Sequence, residues 1–166
     1  LGGDPQRVFV MGHSAGAYNA VMLALDGQWL DRAGVAPGFI KGVVGLSGPY
    51  DFYPFTSDSA RNAFAHVADP RITQPINHVR APAPPMLLLT GDADETVKMR
   101  NSKVLAEALT AAGQPTVPVV LAGVDHAGPV LKLAAPFIRD RRVIDPVLQF
   151  LTAHGGASGV VQAKNR

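Results

Sequence analysis

The sequence contains no cysteine, which excludes a disulfide scaffold and any thiolate-bound metal while leaving the compartment open. Charge is scarce: 17% of the 166 residues are Asp, Glu, Lys or Arg against 47% hydrophobic, a balance that excludes an unfolded polar chain. The formal net charge is only +2, and no basic stripe interleaved with aromatics is present, so no nucleic-acid surface is expected. No apolar run approaches the ~20 residues of a membrane-spanning helix, and the first residues do not resemble a signal peptide. Histidines and acids never fall at metal-ligand spacing, so neither a metal nor another cofactor is expected. An initiator methionine is also missing; Leu1 leads directly into a loop, and we expect a start cut from something longer.

What is present is an alternation. The apolar run Arg7 to Met11 predicts a short buried strand, and Ala15 to Leu25, rich in Ala, Leu and Met, predicts a helix. Val43 to Leu46, Met86 to Thr90 after the stiff Ala81 to Pro85, and Val117 to Leu121 predict three more strands. Pro118 falls near the start of the last, where a missing N–H is best tolerated. Helices are predicted at Met99 to Ala112, stopped by Gly113, and at Val143 to Ala153, with a short one near Ala60 to Val67 inside the irregular Pro49 to Arg80. Residues 1–154 read as part of one domain and 155–166 as a flexible tail.

Strands alternating with helices imply an α/β fold with a parallel sheet. The first strand is apolar along its whole length, as a strand in the middle of such a sheet is. A neighbour is therefore expected beside Val8 to Met11, either a missing N-terminal segment or a second chain.

Between the first strand and the first helix stands Gly12-His13-Ser14-Ala15-Gly16, a G-x-S-x-G pattern. A serine at the tip of so abrupt a turn needs a strained backbone, and flanking glycines let strand and helix approach. The turn lifts the hydroxyl clear of the sheet, the helix aims its positive end at the site, and the Ala15 amide can donate to a developing oxyanion. A serine hydroxyl still needs a base, and the base an orienting acid. In this elbow arrangement they follow as acid, then histidine, each on a loop after a later strand. "LLLTGDADETV" offers Asp92, Asp94 and Glu95, and "VVLAGVDHAG" offers His126. Both loops fall at carboxyl ends of strands, the same sheet edge as Ser14. Asp92 can instead brace the turn, Glu95 can start the next helix, and Asp125 reads as a solvated loop acid. His66, His78 and His154 read as surface or structural residues.

"GGDPQRVFVMGHSAGA", "GVVGLSGPYDF", "LLLTGDADETV" and "GVDHAG", in that order, resemble the C-terminal half to two-thirds of an α/β-hydrolase. The likeness is to the carboxylesterase and lipase branch that includes hormone-sensitive-lipase-like esterases and arylformamidases. The resemblance implies an α/β-hydrolase fold whose N-terminal strands are absent from this chain, the strands here being the fifth to eighth of eight. It implies Ser14 as nucleophile, His126 as general base and Asp94 as orienting acid, because Gly91-x-x-Asp94-x-x-Val97 is the family's spacing. The chain departs from the family in what is absent: no HGG-type loop follows an early strand to donate the second oxyanion amide.

The function expected is that of a serine carboxylic-ester hydrolase working through an acyl-enzyme on a small-molecule ester. Arylformamide, amide or thioester cleavage on the same three residues is the first alternative. A non-catalytic α/β fragment or partner-binding module is the second. His13 is expected to shape the substrate site, and Tyr50 and Phe52, with Tyr53 and Phe55, to wall an apolar pocket.

Overall fold

The four apolar stretches become four parallel strands in the computed structural model, which describes residues 3–156. They are β1 (Val8–His13), β2 (Ile40–Leu46), β3 (Met86–Gly91) and β4 (Val119–Leu121), side by side in chain order. Each connection crosses over through helical structure, as parallel pairing requires. The helices are α1 (Ala15–Leu25), α2 (Gln28–Arg32), α3 (Asp58–Phe64), α4 (Arg100–Ala111), α5 (Gly128–Leu131) and α6 (Arg141–His154).

Side chains alternate across the two faces of the sheet, and both faces are covered. Val43 and Leu88 point to one side, where they pack with Val21 and Leu25 of α1 and Leu105 and Leu109 of α4. Val44, Leu46 and Leu89 point to the other, against Leu121 and Val143 and Val147 of α6. Burial on both faces is why β2 and β3 read as unbroken apolar runs and not as alternating ones. Each such side chain contributes about 1.5–3 kcal/mol by leaving water.

β1 differs. Among the described residues it is hydrogen-bonded to β2 alone; Val8, Phe9 and Val10 are only partly buried, and Met11 is 51% exposed. Its apolar character therefore exceeds its cover among the described residues. Phe9 finds some shelter edge-on against Phe150 of α6, with ring centroids 6.1 Å apart.

Several element bounds depart from the sequence reading. β4 begins at Val119, leaving Pro118 outside the ladder that its ring could not join. α6 begins at Arg141 because the Asp140 carboxylate caps the Arg142 amide at 3.2 Å, two residues before the apolar periodicity starts. The short α2 and α5 were not expected; at five and four residues they are too brief to leave a periodic signal. Gly155 and Gly156 close α6, and residues 157–166 of the expected tail lie outside the described residues.

Candidate active site

Ser14 takes φ 54° and ψ −121°, a conformation that L-residues rarely adopt. Three contacts enforce it. Its amide donates to Leu46 O at 2.9 Å, its carbonyl accepts from Tyr18 N at 3.1 Å, and Gly12 lets β1 run against the first turn of α1. A Cβ on Gly12 would stand 2.2 Å from the Gly16 carbonyl oxygen, so only glycine fits. Gly16 is not under the same constraint: a Cβ there would meet nothing within 4 Å. Of the two glycines expected to bring strand and helix together, Gly12 alone does so among the described residues. Ala15 is the first residue of α1 and exposed, with its amide among the N-terminal donors that have no intrahelical acceptor.

The three sequence-expected residues meet above the carboxyl ends of the strands. His126 Nε2 lies 2.9 Å from Ser14 Oγ, and His126 Nδ1 lies 2.9 Å from Asp94 Oδ2. A carboxylate only accepts, so Nδ1 carries the hydrogen and Nε2 of the neutral ring faces the hydroxyl with its lone pair. Asp94 is 2% exposed. Burial alone would raise its pKa, but the amide of Val97 and the His126 ring outweigh that, and the carboxyl titrates below its ordinary value. Thr96 N and Val97 N donate to Oδ1 at 2.9 and 2.8 Å, leaving Oδ2 for the histidine. The Ser47 hydroxyl, buried and without a hydrogen-bond partner among the described residues, acts in the same lowering direction.

The remaining acids have other work. Asp92 Oδ1 accepts from Gly123 N at 2.7 Å, tying the acid loop to the histidine loop. Glu95 pairs with Lys98 on the surface. Asp125 turns from the ring and accepts from Gly128 N at 2.9 Å, at the start of α5. Away from the site, the His78 ring donates to Ile72 O at 2.7 Å, and His154 ends α6 against Phe150. Among the described residues no group of three or more His, Asp or Glu is placed to hold a metal ion.

Beside Ser14 opens a cavity of about 420 Å³, walled by Ala15, Tyr18, Phe52, Phe64 and Val97. Phe52 lies in the cavity wall, edge-on to Tyr18 at 5.8 Å and tilted against Phe64 at 5.7 Å. Tyr50 does not. Its side chain is 0% exposed, with the hydroxyl end over β2, where a Cβ on Gly45 would come within 2.1 Å of it. Tyr50 is a core residue filling the space left by glycine, and burial raises the pKa of its phenol. Tyr53 is half exposed. His13 does not line the cavity either; its ring faces the backbone of His126.

Tyr18 and Phe64 went unrecognised in the sequence. A signal existed for Tyr18, four residues after Ser14 and hence on the same face of α1. None existed for the two carboxamides that hold the aromatic loop. Asn101 Oδ1 accepts from Tyr50 N and Asp51 N at 2.8 and 2.9 Å. Gln74, 1% exposed, uses Oε1 to accept from Phe52 N and Tyr53 N at 2.7 and 3.0 Å. Gln74→Leu strands both amides without an acceptor, at a cost of about 1–3 kcal/mol each. We predict a Tm lowered by several degrees, checked by thermal melting. An unchanged Tm would show that the loop holds itself.

Residues 1–109 match the family described as BD-FAE. The chain belongs to the BD-FAE family. Esterase LipQ of Mycobacterium tuberculosis is 31% identical over 169 residues, covering 90% of this chain and 38% of that protein. The isoprenylcysteine alpha-carbonyl methylesterase ICME of Arabidopsis thaliana is 27% identical over 147 residues, covering 76% of this chain and 34% of its own length. This BD-FAE chain thus spans little more than a third of the curated relatives it matches. The apo structure of Thermogutta terrifontis esterase 2 superposes with a TM-score of 0.72 at 21% identity, covering 96% of this chain and 60% of that one. Its butyrate-bound form gives 0.71 at 20% identity, over 95% and 61%. At such identity the likeness is one of fold, and the fold is that of the α/β-hydrolases.

Proposed function

We propose that the chain carries the nucleophile, base and orienting acid of a serine carboxylesterase whose substrate is a small ester. The observation that carries this reading is the continuous line Asp94–His126–Ser14, with both hydrogen bonds at 2.9 Å and Ser14 lining a cavity that is walled in part by Tyr18, Phe52 and Phe64. As His126 Nε2 takes the hydroxyl proton, Ser14 Oγ attacks the acyl carbon. Asp94 keeps the imidazole in the tautomer that can accept and steadies the imidazolium that forms. The oxyanion of the tetrahedral intermediate meets the Ala15 amide and the positive end of α1. Collapse expels the alkoxide, which leaves with the proton from His126 Nε2. Water, deprotonated by the same nitrogen, then attacks the acyl-Ser14 carbonyl, and the carboxylic acid departs with Ser14 restored. Amide, formamide and thioester cleavage would use the same steps with another leaving group.

A further part of the proposal concerns β1. Its uncovered edge and half-exposed Met11 support a strand docking beside Val8 to Met11, from a segment of the full-length protein that also brings the second oxyanion amide. The chemistry is tested by reacting the full-length protein with a fluorophosphonate and mapping the adduct by peptide mass spectrometry. We expect one adduct, on Ser14, with esterase activity lost in proportion to labelling. An adduct elsewhere, or activity that survives complete labelling, would overturn the assignment.

A further inference from the structure

His13 is the residue inside the Gly12-to-Gly16 turn whose side chain the proposed chemistry leaves unused. It ends β1, opposite Leu46 of β2, and its backbone is bonded directly to that of Ser14. The ring is partly buried and turned from the cavity. Its Nε2 lies 2.7 Å from the backbone carbonyl oxygen of His126, and the two imidazole rings stand 4.8 Å apart, tilted by 46°. A carbonyl oxygen can only accept, so His13 Nε2 carries a hydrogen and donates it.

The partners of the histidine loop make this contact informative. Asp92 holds the loop upstream at Gly123, and Asp125 holds it downstream at Gly128. Both ties come from acids in the histidine loop or the neighbouring acid loop. The tie from His13 comes from the nucleophile's own turn and lands on the backbone of His126 itself. A bond between residue 13 and residue 126 therefore links the serine's turn directly to the backbone of the histidine.

We infer that His13 is a positioning residue: by donating to the His126 carbonyl it fixes the distance between Ser14 Oγ and His126 Nε2. The inference rests on the reading of Ser14 and His126 as nucleophile and base. Without that tie His126 keeps its bond to Asp94 but loses registration with the serine, and small misplacements of a catalytic group are costly in rate. The effect falls on proton transfer and not on the cavity that binds substrate. It should therefore appear in kcat and not in KM.

Gln and Met at position 13 distinguish the hydrogen bond from mere packing, because the two side chains match in length and only Gln has an N–H to donate. In the full-length protein, His13→Met is expected to lower kcat for p-nitrophenyl acetate by about tenfold with KM within twofold. The second-order rate of Ser14 labelling by a small fluorophosphonate should fall in parallel, since it depends on the same proton transfer. His13→Gln is expected to recover kcat to within about threefold of the parent. Equal rates in the Met variant and the parent, or equal losses in Met and Gln, would overturn the inference. So would a loss confined to KM. Wild-type labelling separates the two layers. If Ser14 of the parent does not label, the reading of the site has failed; if it labels and His13→Met labels as fast, only the role of His13 has.

Discussion

Ser14→Ala in the full-length protein is expected to lower kcat for p-nitrophenyl butyrate by on the order of 10⁶, the loss found when a serine nucleophile is removed from a complete triad. The size follows from the geometry. His126 Nε2 faces Ser14 Oγ at 2.9 Å, and Asp94 has both its oxygens committed, one to two loop amides and one to the His126 ring. That arrangement prepares one proton transfer from one hydroxyl. With a methyl in its place the histidine has nothing to activate except water, and only the oxyanion donor and the cavity remain. On the proposed mechanism the three residues act as a unit, so adding His126→Ala to the serine variant should cost almost nothing more. The variant should melt close to the parent, since Ser14 is held by its backbone to Leu46 and Tyr18 and not by its hydroxyl. Turnover above a hundredth of the parent rate, or a strictly additive double variant, would show that the hydroxyl is not the nucleophile.

A polypeptide limited to residues 1–166 is expected to hydrolyse the same ester about 10²–10³ times more slowly than the full-length protein, the usual effect of losing one oxyanion donor. On the proposed reading the Ala15 amide is one such donor, and no HGG-type loop follows an early strand to supply the second; the His154-Gly155-Gly156 stretch lies at the end of α6. The short chain is also expected to associate. Among the described residues β1 is an apolar strand with one unpaired edge, Met11 standing half exposed upon it, and an edge of that kind recruits another chain. Sedimentation, thermal melting and ester turnover on the two polypeptides side by side check both parts. A monodisperse 1–166 monomer that melts cooperatively and matches the full-length rate would show that β1 needs no neighbour and that one donor suffices.

Local signals carried the elbow turn and the four strands, because each depends on residues adjacent in the chain, whereas the order of acid before histidine came with the elbow arrangement. Gly12 and Ser14 lie within one turn, and the apolar runs of β2 and β3 announce burial on both faces without reference to anything distant. Asp94 was separable from Asp92 and Glu95 only by family spacing. Tertiary structure assigned the other two acids their partners, Asp92 to Gly123 and Glu95 to Lys98. Tyr50 and Phe52 show the limit more sharply. They stand two residues apart in one aromatic stretch, yet one ends in the core over Gly45 and the other in the cavity wall. That division rests on Asn101 and Gln74, which are 51 and 22 residues away along the chain from the amides of Tyr50 and Phe52 they accept from. The same holds for His13, whose partner lies 113 residues distant. Hydrogen bonds between remote segments leave no period and no motif, so which side chain wall, brace or base each residue becomes is decided only when the strands are brought side by side.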